Sequence, residues 1–178
     1  MKRYLSTAVL AVLLFGATAS AQMQHAAPAP ELKKLDYFAG DWNVETDIKA
    51  GQFGPGGKMT GTDHLEWMQG NYFMIMHSTF SSQTMGSGIE YAVFGYDSNK
   101  KQYTYESFSS EGEHEVATGN PDADGKVWTW YSSSGMGPMH WRYTETILSP
   151  TAYSVKFEMS QDGKTWSTVM EGKTTKGS

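Results

Sequence analysis

Apolar and polar residues alternate along most of the chain after residue 40. In the segment 41–48 the even positions are Trp, Val, Thr and Ile, whereas the odd positions are Asp, Asn, Glu and Asp. A period of two is typical of a β-strand with one face against a core and the other in water. The segment is therefore predicted to be a half-buried strand.

The same alternation recurs nine more times, and runs rich in Gly, Asn, Asp, Ser or Pro separate the repeats. The predicted strands are 41–48, 58–68, 72–80, 89–96, 101–108, 113–119, 127–132, 139–148, 152–159 and 165–173. Since the connections are short and carry no helical pattern, an all-β antiparallel meander is expected. An open sheet of this size would expose its edges, so an up-and-down closed barrel of about ten strands is predicted. A β-sandwich has the same periodicity, but it needs some long crossings.

One short helix is predicted before the first strand. Leu32, Leu35 and Phe38 recur at helical spacing after Pro30, and Gly40 supplies a stop signal. The preceding segment 22–30 is rich in Ala and Pro, which predicts a flexible tether.

The first 21 residues have the pattern of a secretory signal peptide. Lys2 and Arg3 precede an apolar run, and Ala19-Ser20-Ala21 is a small-x-small cleavage signal. An uncleaved membrane anchor would need about 20 apolar residues, more than this run provides. The expected organisation is a signal peptide (1–21), a tether (22–30) and a barrel domain (31–178). The mature protein is expected to be secreted, in the periplasm, without a membrane anchor.

A ten-stranded barrel favours an internal cavity. About eight strands enclose room for side chains or one small ligand, and more strands leave a larger space. With the Trp42 face taken as inward, aromatic residues line the interior, and His77 lies in a strand that is apolar on both faces. The predicted ligand-binding residues are Trp67, His77, Tyr91, Tyr105, Trp141 and Tyr143. The alternative is that these rings simply fill the barrel. For the strand that contains Trp128 and Trp130, the alternation does not decide which of its two faces points inward.

Metal chemistry has one candidate site, at the run that contains Met136, Met139 and His140. Thioethers beside an imidazole suit Cu(I), although methionine also fills irregular apolar space. His64 is expected on the outer face of the barrel, in contact with water, and His114 lies in a strand that is predicted to be exposed to solvent. The sequence contains no nucleophile elbow, so no catalytic residue is assigned, and an enzyme site at the barrel mouth stays an alternative.

Composition narrows the function classes. The chain has 178 residues, a formal net charge of −5 and no cysteine, and Arg142 is the only arginine after the predicted signal peptide. Binding to nucleic acid or to an anionic membrane surface is disfavoured because both need clustered Lys and Arg. Without cysteine there are no disulfides or thiolate sites. The excess of acidic residues is expected on the wet outer face of the strands.

The run from Phe38 to Trp42 resembles the Gly-x-Trp opening of lipocalin-like (calycin) barrels. The whole frame, with Gly95-Tyr96-Asp97 and the closing segment 162–172, resembles an uncharacterised family of secreted bacterial calycin-like barrels over about residues 31–175. The resemblance implies that Gly40 and Trp42 form the barrel floor, and that the Trp packs beneath an Arg or Lys from a late strand. The candidates for that basic residue are Arg142 and Lys173.

Ten-stranded relatives include fatty-acid-binding proteins, which hold a carboxylate with buried arginines, and the haem-binding nitrobindin type, which uses a histidine near the end of the barrel. A single mature arginine and a histidine-free segment 152–173 disfavour both ligands. No cofactor is expected. The leading hypothesis is an extracytoplasmic binding or carrier protein for a small hydrophobic molecule, with a copper-handling protein and an enzyme as alternatives. The oligomeric state stays open.

Overall fold

The protein is a closed antiparallel barrel of ten strands, which confirms the predicted fold class. The structure, a computed structural model, describes residues 26–51, 54–84, 86–134 and 139–177. Each strand pairs with its neighbours in sequence, and β1 pairs with β10 to close the barrel. The strands are β1 (Gly40–Ile48), β2 (Gly57–Trp67), β3 (Met74–Ser82), β4 (Gly86–Asp97), β5 (Gln102–Ser109), β6 (His114–Pro121), β7 (Val127–Ser134), β8 (His140–Ser149), β9 (Ala152–Ser160) and β10 (Ser167–Lys176).

A helix at Pro30–Tyr37 closes one end of the barrel; together with Phe38 it is called the plug below. It is a 3-10 helix rather than an α-helix. Residues three apart share a face of a 3-10 helix, and Leu32, Leu35 and Phe38 are spaced in this way and are all buried. The helix ends at Tyr37, three residues before the predicted stop at Gly40.

Hydrogen bonds fix the plug to the barrel wall. The Tyr103 hydroxyl donates to the carbonyl oxygen of Glu31 at 2.6 Å, and Trp67 Nε1 donates to Asp36 Oδ1 at 2.9 Å. The Tyr37 hydroxyl lies 2.9 and 3.0 Å from the carbonyl oxygens of Ser149 and Ala152. Because these contacts reach β2, β5, β8 and β9, the plug is held from several sides.

Trp42 lies at this closed end, 1% exposed, and its Nε1 donates to the carbonyl oxygen of Phe38 at 2.7 Å. Its ring packs edge-on against Tyr153, with centroids 4.9 Å apart. Trp128 and Trp130 also point inward, which resolves the ambiguous parity of β7. The closed end is therefore an aromatic cluster that buries the start of the first strand.

The basic residue over Trp42 is Lys176, so the expectation of Arg142 or Lys173 is wrong. Lys176 lies directly opposite Trp42 in the β1–β10 pairing; its Nζ is 4.3 Å from the centre of the indole ring and donates to the carbonyl oxygen of Ala39 at 2.7 Å. Lys173 is an exposed residue opposite Glu45. Arg142 lies over the Trp166 ring and pairs with Glu158.

The sequence-based orientation of β4 is also wrong. Tyr91, predicted to line the cavity, is 50% exposed and Val93 on the same face is 36% exposed, whereas Ala92 is fully buried and Phe94 packs against the core. Apolar residues occupy both faces of this strand, so alternation alone does not determine its orientation. The inward residues of β4 include Glu90, which lines the interior.

Candidate ligand-binding cavity

The barrel encloses a cavity of about 380 Å³. It begins above Leu35 and Phe38 of the plug and extends to the opposite end of the barrel, the mouth, where Glu111 and Glu113 are exposed. Apolar side chains from most strands form its wall. Those lining the cavity include Val44, Ile48, Met59, Leu65, Met74, Met76, Phe80, Phe94, Val169 and Met170.

One side of the cavity is aromatic. Trp141 packs against Phe157 with ring centres 6.0 Å apart and against Tyr105 at 6.4 Å, and Phe157 contacts Tyr143 at 6.4 Å. Trp130 lies 6.2 Å from Tyr105. These five rings come from β5, β7, β8 and β9 and form a continuous wall, because Tyr105 reaches past β6 to contact Trp130 and Trp141.

Carboxyl groups also line the cavity. Asp63, Glu90, Glu115 and Glu145 point inward from β2, β4, β6 and β8, and Glu111 and Glu113 lie at the mouth. In the part of the chain that the structure describes, the cavity lining contains no lysine, arginine or histidine. The expectation that the acidic excess belongs to the wet outer face is therefore wrong for these six residues.

Uncharged donors bond to the four inner carboxyls. Trp141 Nε1 donates to Glu115 Oε2 at 2.6 Å, and Trp130 Nε1 donates to Glu145 Oε2 at 3.1 Å. The Tyr105 hydroxyl donates to Glu90, and a hydrogen bond from Ser78 lowers the pKa of Asp63. These donors orient the carboxyls without neutralising their charge.

Burial makes two of the carboxyls titrate near neutral pH. The pKa of Asp63 is raised to about 6, mainly by desolvation; the Ser78 hydrogen bond opposes this shift and the charge of Glu90 adds to it. Desolvation raises the pKa of Glu145 to about 7; the charge of Asp63 acts in the same direction, and the Trp130 hydrogen bond opposes it. Each carboxyl can therefore lose its proton near pH 7 and pair with another positive charge in its place.

The phenols around them stay protonated. Burial is the main cause that raises the pKa of Tyr105, Tyr143 and Tyr153 well above that of a free tyrosine, and Glu145 or Glu90 adds to it. At neutral pH these hydroxyls can donate hydrogen bonds, and they add no charge to the cavity.

The structure places three of the six predicted ligand-binding residues on the cavity wall: Tyr105, Trp141 and Tyr143. Trp67 lies at the closed end, where it bonds to Asp36 of the plug. His77 and Tyr91 lie on the outer face, stacked on each other with ring centres 4.6 Å apart. His77 is half-buried and Tyr91 is 50% exposed, so their inward placement is wrong; apolar residues occupy both faces of β3 and β4, and alternation therefore does not determine which face points inward.

The three residues proposed for copper are only partly within the described chain, so their arrangement stays a prediction. Met139 packs partly buried against the core, whereas His140 is exposed, and Met136 lies outside the described residues. His64 lies on the outer face as expected, bonded to Asp41 at 2.6 Å, and His114 stacks there on Phe108. Among the described residues, no three His, Asp or Glu side chains are arranged to hold a metal ion.

Sequence reasoning missed the inner carboxyls, although the signal was present. Asp63 is four residues from Trp67, and Glu145 is two residues from Tyr143, so each shares the face of a residue predicted to line the cavity. The assumption that acidic residues face water overrode this parity.

One solved structure shows the same kind of fold. The crystal structure of Rv2717c from M. tuberculosis superposes with a TM-score of 0.64 at 12% identity and covers 85% of this chain and 99% of its own. The structure of EF1p2_mFAP2b bound to DFHBI matches with a TM-score of 0.45 at 12% identity, over 83% of this chain and 99% of that one. No curated protein matches the sequence. No helix within the described ranges has the length and apolarity needed to cross a bilayer.

A family model described as a protein of unknown function (DUF1579) matches residues 27–176. These bounds include the plug and all ten strands. The chain therefore belongs to the DUF1579 family.

Proposed function

We propose that the protein binds and carries a small molecule with an apolar body inside the barrel. The observation that carries this proposal is the cavity of about 380 Å³, lined mainly by apolar and aromatic side chains, between the plug and the mouth. Pockets for small ligands typically measure roughly 300–1,000 Å³ and combine apolar walls with a few polar groups.

The packing of the closed end supports a cavity that exists before a ligand arrives. The plug is bonded to four strands, and the aromatic cluster around Trp42 is buried. A site on rigid strands needs little reorganisation to bind, so less of the binding free energy is lost to ordering.

Two matched substitutions test this function. Val44 lines the cavity, whereas Val93 lies on the outer face. We expect isothermal titration calorimetry to detect binding of decanol, an uncharged probe. Val44→Trp should weaken that binding about tenfold or more, because the ring occupies the volume that the probe needs. Val93→Trp should leave it unchanged.

The control for folding is the thermal unfolding of each variant, and Ser107→Phe is a second cavity-filling change if Val44→Trp unfolds. Ser107 is buried and also lines the cavity. If wild-type protein does not bind decanol, or if folded Val44→Trp and Ser107→Phe proteins bind it like wild type, the cavity is not the site.

We also propose that the protein works outside the cytoplasm, after removal of residues 1–21. The basic start, the apolar run and the Ala19-Ser20-Ala21 signal support this; residues 1–25 lie outside the described residues. When the full chain is expressed in a bacterium, we expect the periplasmic fraction to contain a protein whose intact mass matches a chain that begins at Gln22. A full-length mass in the cytoplasmic fraction would contradict the proposal.

A further inference from the structure

We propose that the cavity selects organic cations, amines with an apolar body, over neutral and anionic molecules of the same size. This inference rests on the proposed function, since it names the ligand class of the same cavity. The carboxyls that line it, the absence of basic groups among its described lining residues, and its aromatic wall carry the proposal.

The charged side chains that line the cavity, among the described residues, are all acidic. Asp63, Glu90, Glu115 and Glu145 enter from four alternate strands, and their hydrogen-bond donors include a serine, a tyrosine and two tryptophans. Buried carboxylates elsewhere in proteins are usually paired with a cation. No lysine, arginine or histidine of the described residues lines the cavity beside Asp63, Glu90 and Glu145, so a bound cation would pair with them.

A second observation points to a ligand group deep in the cavity. Tyr143 lines the cavity and is half-buried, and its hydroxyl has no hydrogen-bond partner within the described chain. Glu145, two residues along the same strand, also lines the cavity and receives a hydrogen bond on Oε2 only. A phenol oxygen and a carboxylate oxygen on the same face of β8 can both accept hydrogen bonds from an ammonium group, which has donors alone.

The carboxyls also act on each other through space. The charge of Asp63 raises the pKa of Glu145, that of Glu90 raises the pKa of Asp63, and Glu111, Glu115 and Glu90 raise that of Glu113. Mutual repulsion in a space with few opposing charges is relieved by a cation, and it opposes the entry of a second anion. A fatty-acid carboxylate is therefore disfavoured as the ligand head group.

The aromatic wall favours an organic cation over a metal ion. Trp130, Trp141 and Tyr143 present rings beside the carboxyls, and an ammonium near such rings gains cation–π stabilisation. No three carboxyls or histidines of the described residues are placed to coordinate a metal. Glu111 and Glu113 at the mouth extend the negative potential outward, which attracts cations towards the opening.

The experiment compares three probes of one chain length on the full protein by calorimetry: decylammonium, decanol and decanoate. Near pH 8 we expect decylammonium to bind about tenfold or more tightly than decanol, because a charge-assisted hydrogen bond exceeds a neutral one. Decanoate should bind more weakly than decanol. If decanol does not bind, the proposed function fails; if decanol binds and decylammonium does not bind more tightly than decanol, only the cation selectivity fails.

Two variants locate the selectivity. Glu145→Gln keeps the shape and the Trp130 hydrogen bond but removes the charge, so we expect the preference for decylammonium over decanol to fall about tenfold. Glu45→Gln is the matched control, because Glu45 is exposed on β1. Asp63→Asn is the second test. If Glu145→Gln and Asp63→Asn both retain wild-type preference for decylammonium, these carboxyls do not select the ligand.

A pH series separates charge from shape. The titratable groups that face the cavity are Asp63, Glu90, Tyr105, Glu111, Glu113, Glu115, Tyr143, Glu145 and Tyr153. The pKa of Asp63 is about 6 and that of Glu145 about 7, so both carboxyls are protonated near pH 5. The preference for decylammonium over decanol should shrink as the pH falls from 8 to 5. An unchanged preference would overturn the proposal.

Discussion

At the scale of single residues, the sequence predicts which face of the sheet a cavity side chain lies on, but it does not predict which residues surround that side chain. Parity places Asp63 with Leu65 and Glu145 with Tyr143, so their inward direction follows from the alternation in the sequence. What the sequence does not contain is the set of groups opposite them. The Trp130 donor to Glu145 lies fifteen positions away on another strand and becomes a neighbour only through the register of β7 and β8.

The buried carboxyls predict an unusual pH dependence of stability for the ligand-free protein. The folded-state pKa of Glu145, about 7, lies above its ordinary value, so the folded state holds this proton more tightly than the unfolded state. This stability is present below the ordinary pKa and is lost as the pH rises through about 7. Asp63 acts in the same direction up to about pH 6.

We therefore expect the Tm of the wild-type protein to fall by several degrees between pH 5 and pH 8, a loss of a few kcal/mol at most. Glu145→Gln should raise the Tm at pH 8 and flatten the profile, because a neutral amide replaces a buried charge. Differential scanning calorimetry measures both, with Glu45→Gln as the control. The contact of His64 with Asp41, which raises the pKa of His64, also contributes less stability as the pH rises through this range. His64 is exposed, and Glu145→Gln does not change its contribution. A wild-type Tm that rises from pH 5 to pH 8 would contradict the burial of these carboxyls.

At the scale of elements, the number and antiparallel order of the strands were predictable because each strand buries one face and meets the next through a short turn. The orientation of β4 was not, since Tyr91 and Val93 are as apolar as the residues beside them that point inward. The residue over Trp42 was missed for a related reason. The predicted last strand stopped at Lys173, whereas β10 continues to Lys176, and only the pairing with β1 places that lysine opposite the indole.

The plug shows how a local pattern and a tertiary contact combine. Leu32, Leu35 and Phe38 predicted a helix, and their strict spacing of three suits the 3-10 form found. Its bonds to β2, β5, β8 and β9 come from residues far apart in sequence. These bonds close one end of the barrel, and Glu111 and Glu113 line the cavity at the other end.

At the scale of the whole molecule, the barrel divides its charged residues into two populations. Outside, carboxyls pair with cations, as Asp47 does with Lys58 and Glu158 with Arg142 and Lys156. Inside, the described lining offers carboxyls and uncharged donors alone. The composition shows that the protein is acidic, but it does not show which carboxyls lie outside and which line the cavity. That division arises when the sheet closes and separates its two faces.

The most direct test of this account is the crystal structure of the complex with decylammonium. The account predicts the probe inside the barrel, with its nitrogen within about 2.7–3.2 Å of a carboxylate oxygen of Asp63 or Glu145 and its alkyl chain along Trp141 and Phe157. The account would be contradicted by a probe that lies on the outer sheet beside Tyr91, or by one that places its alkyl tail against Glu145 and its nitrogen in solvent.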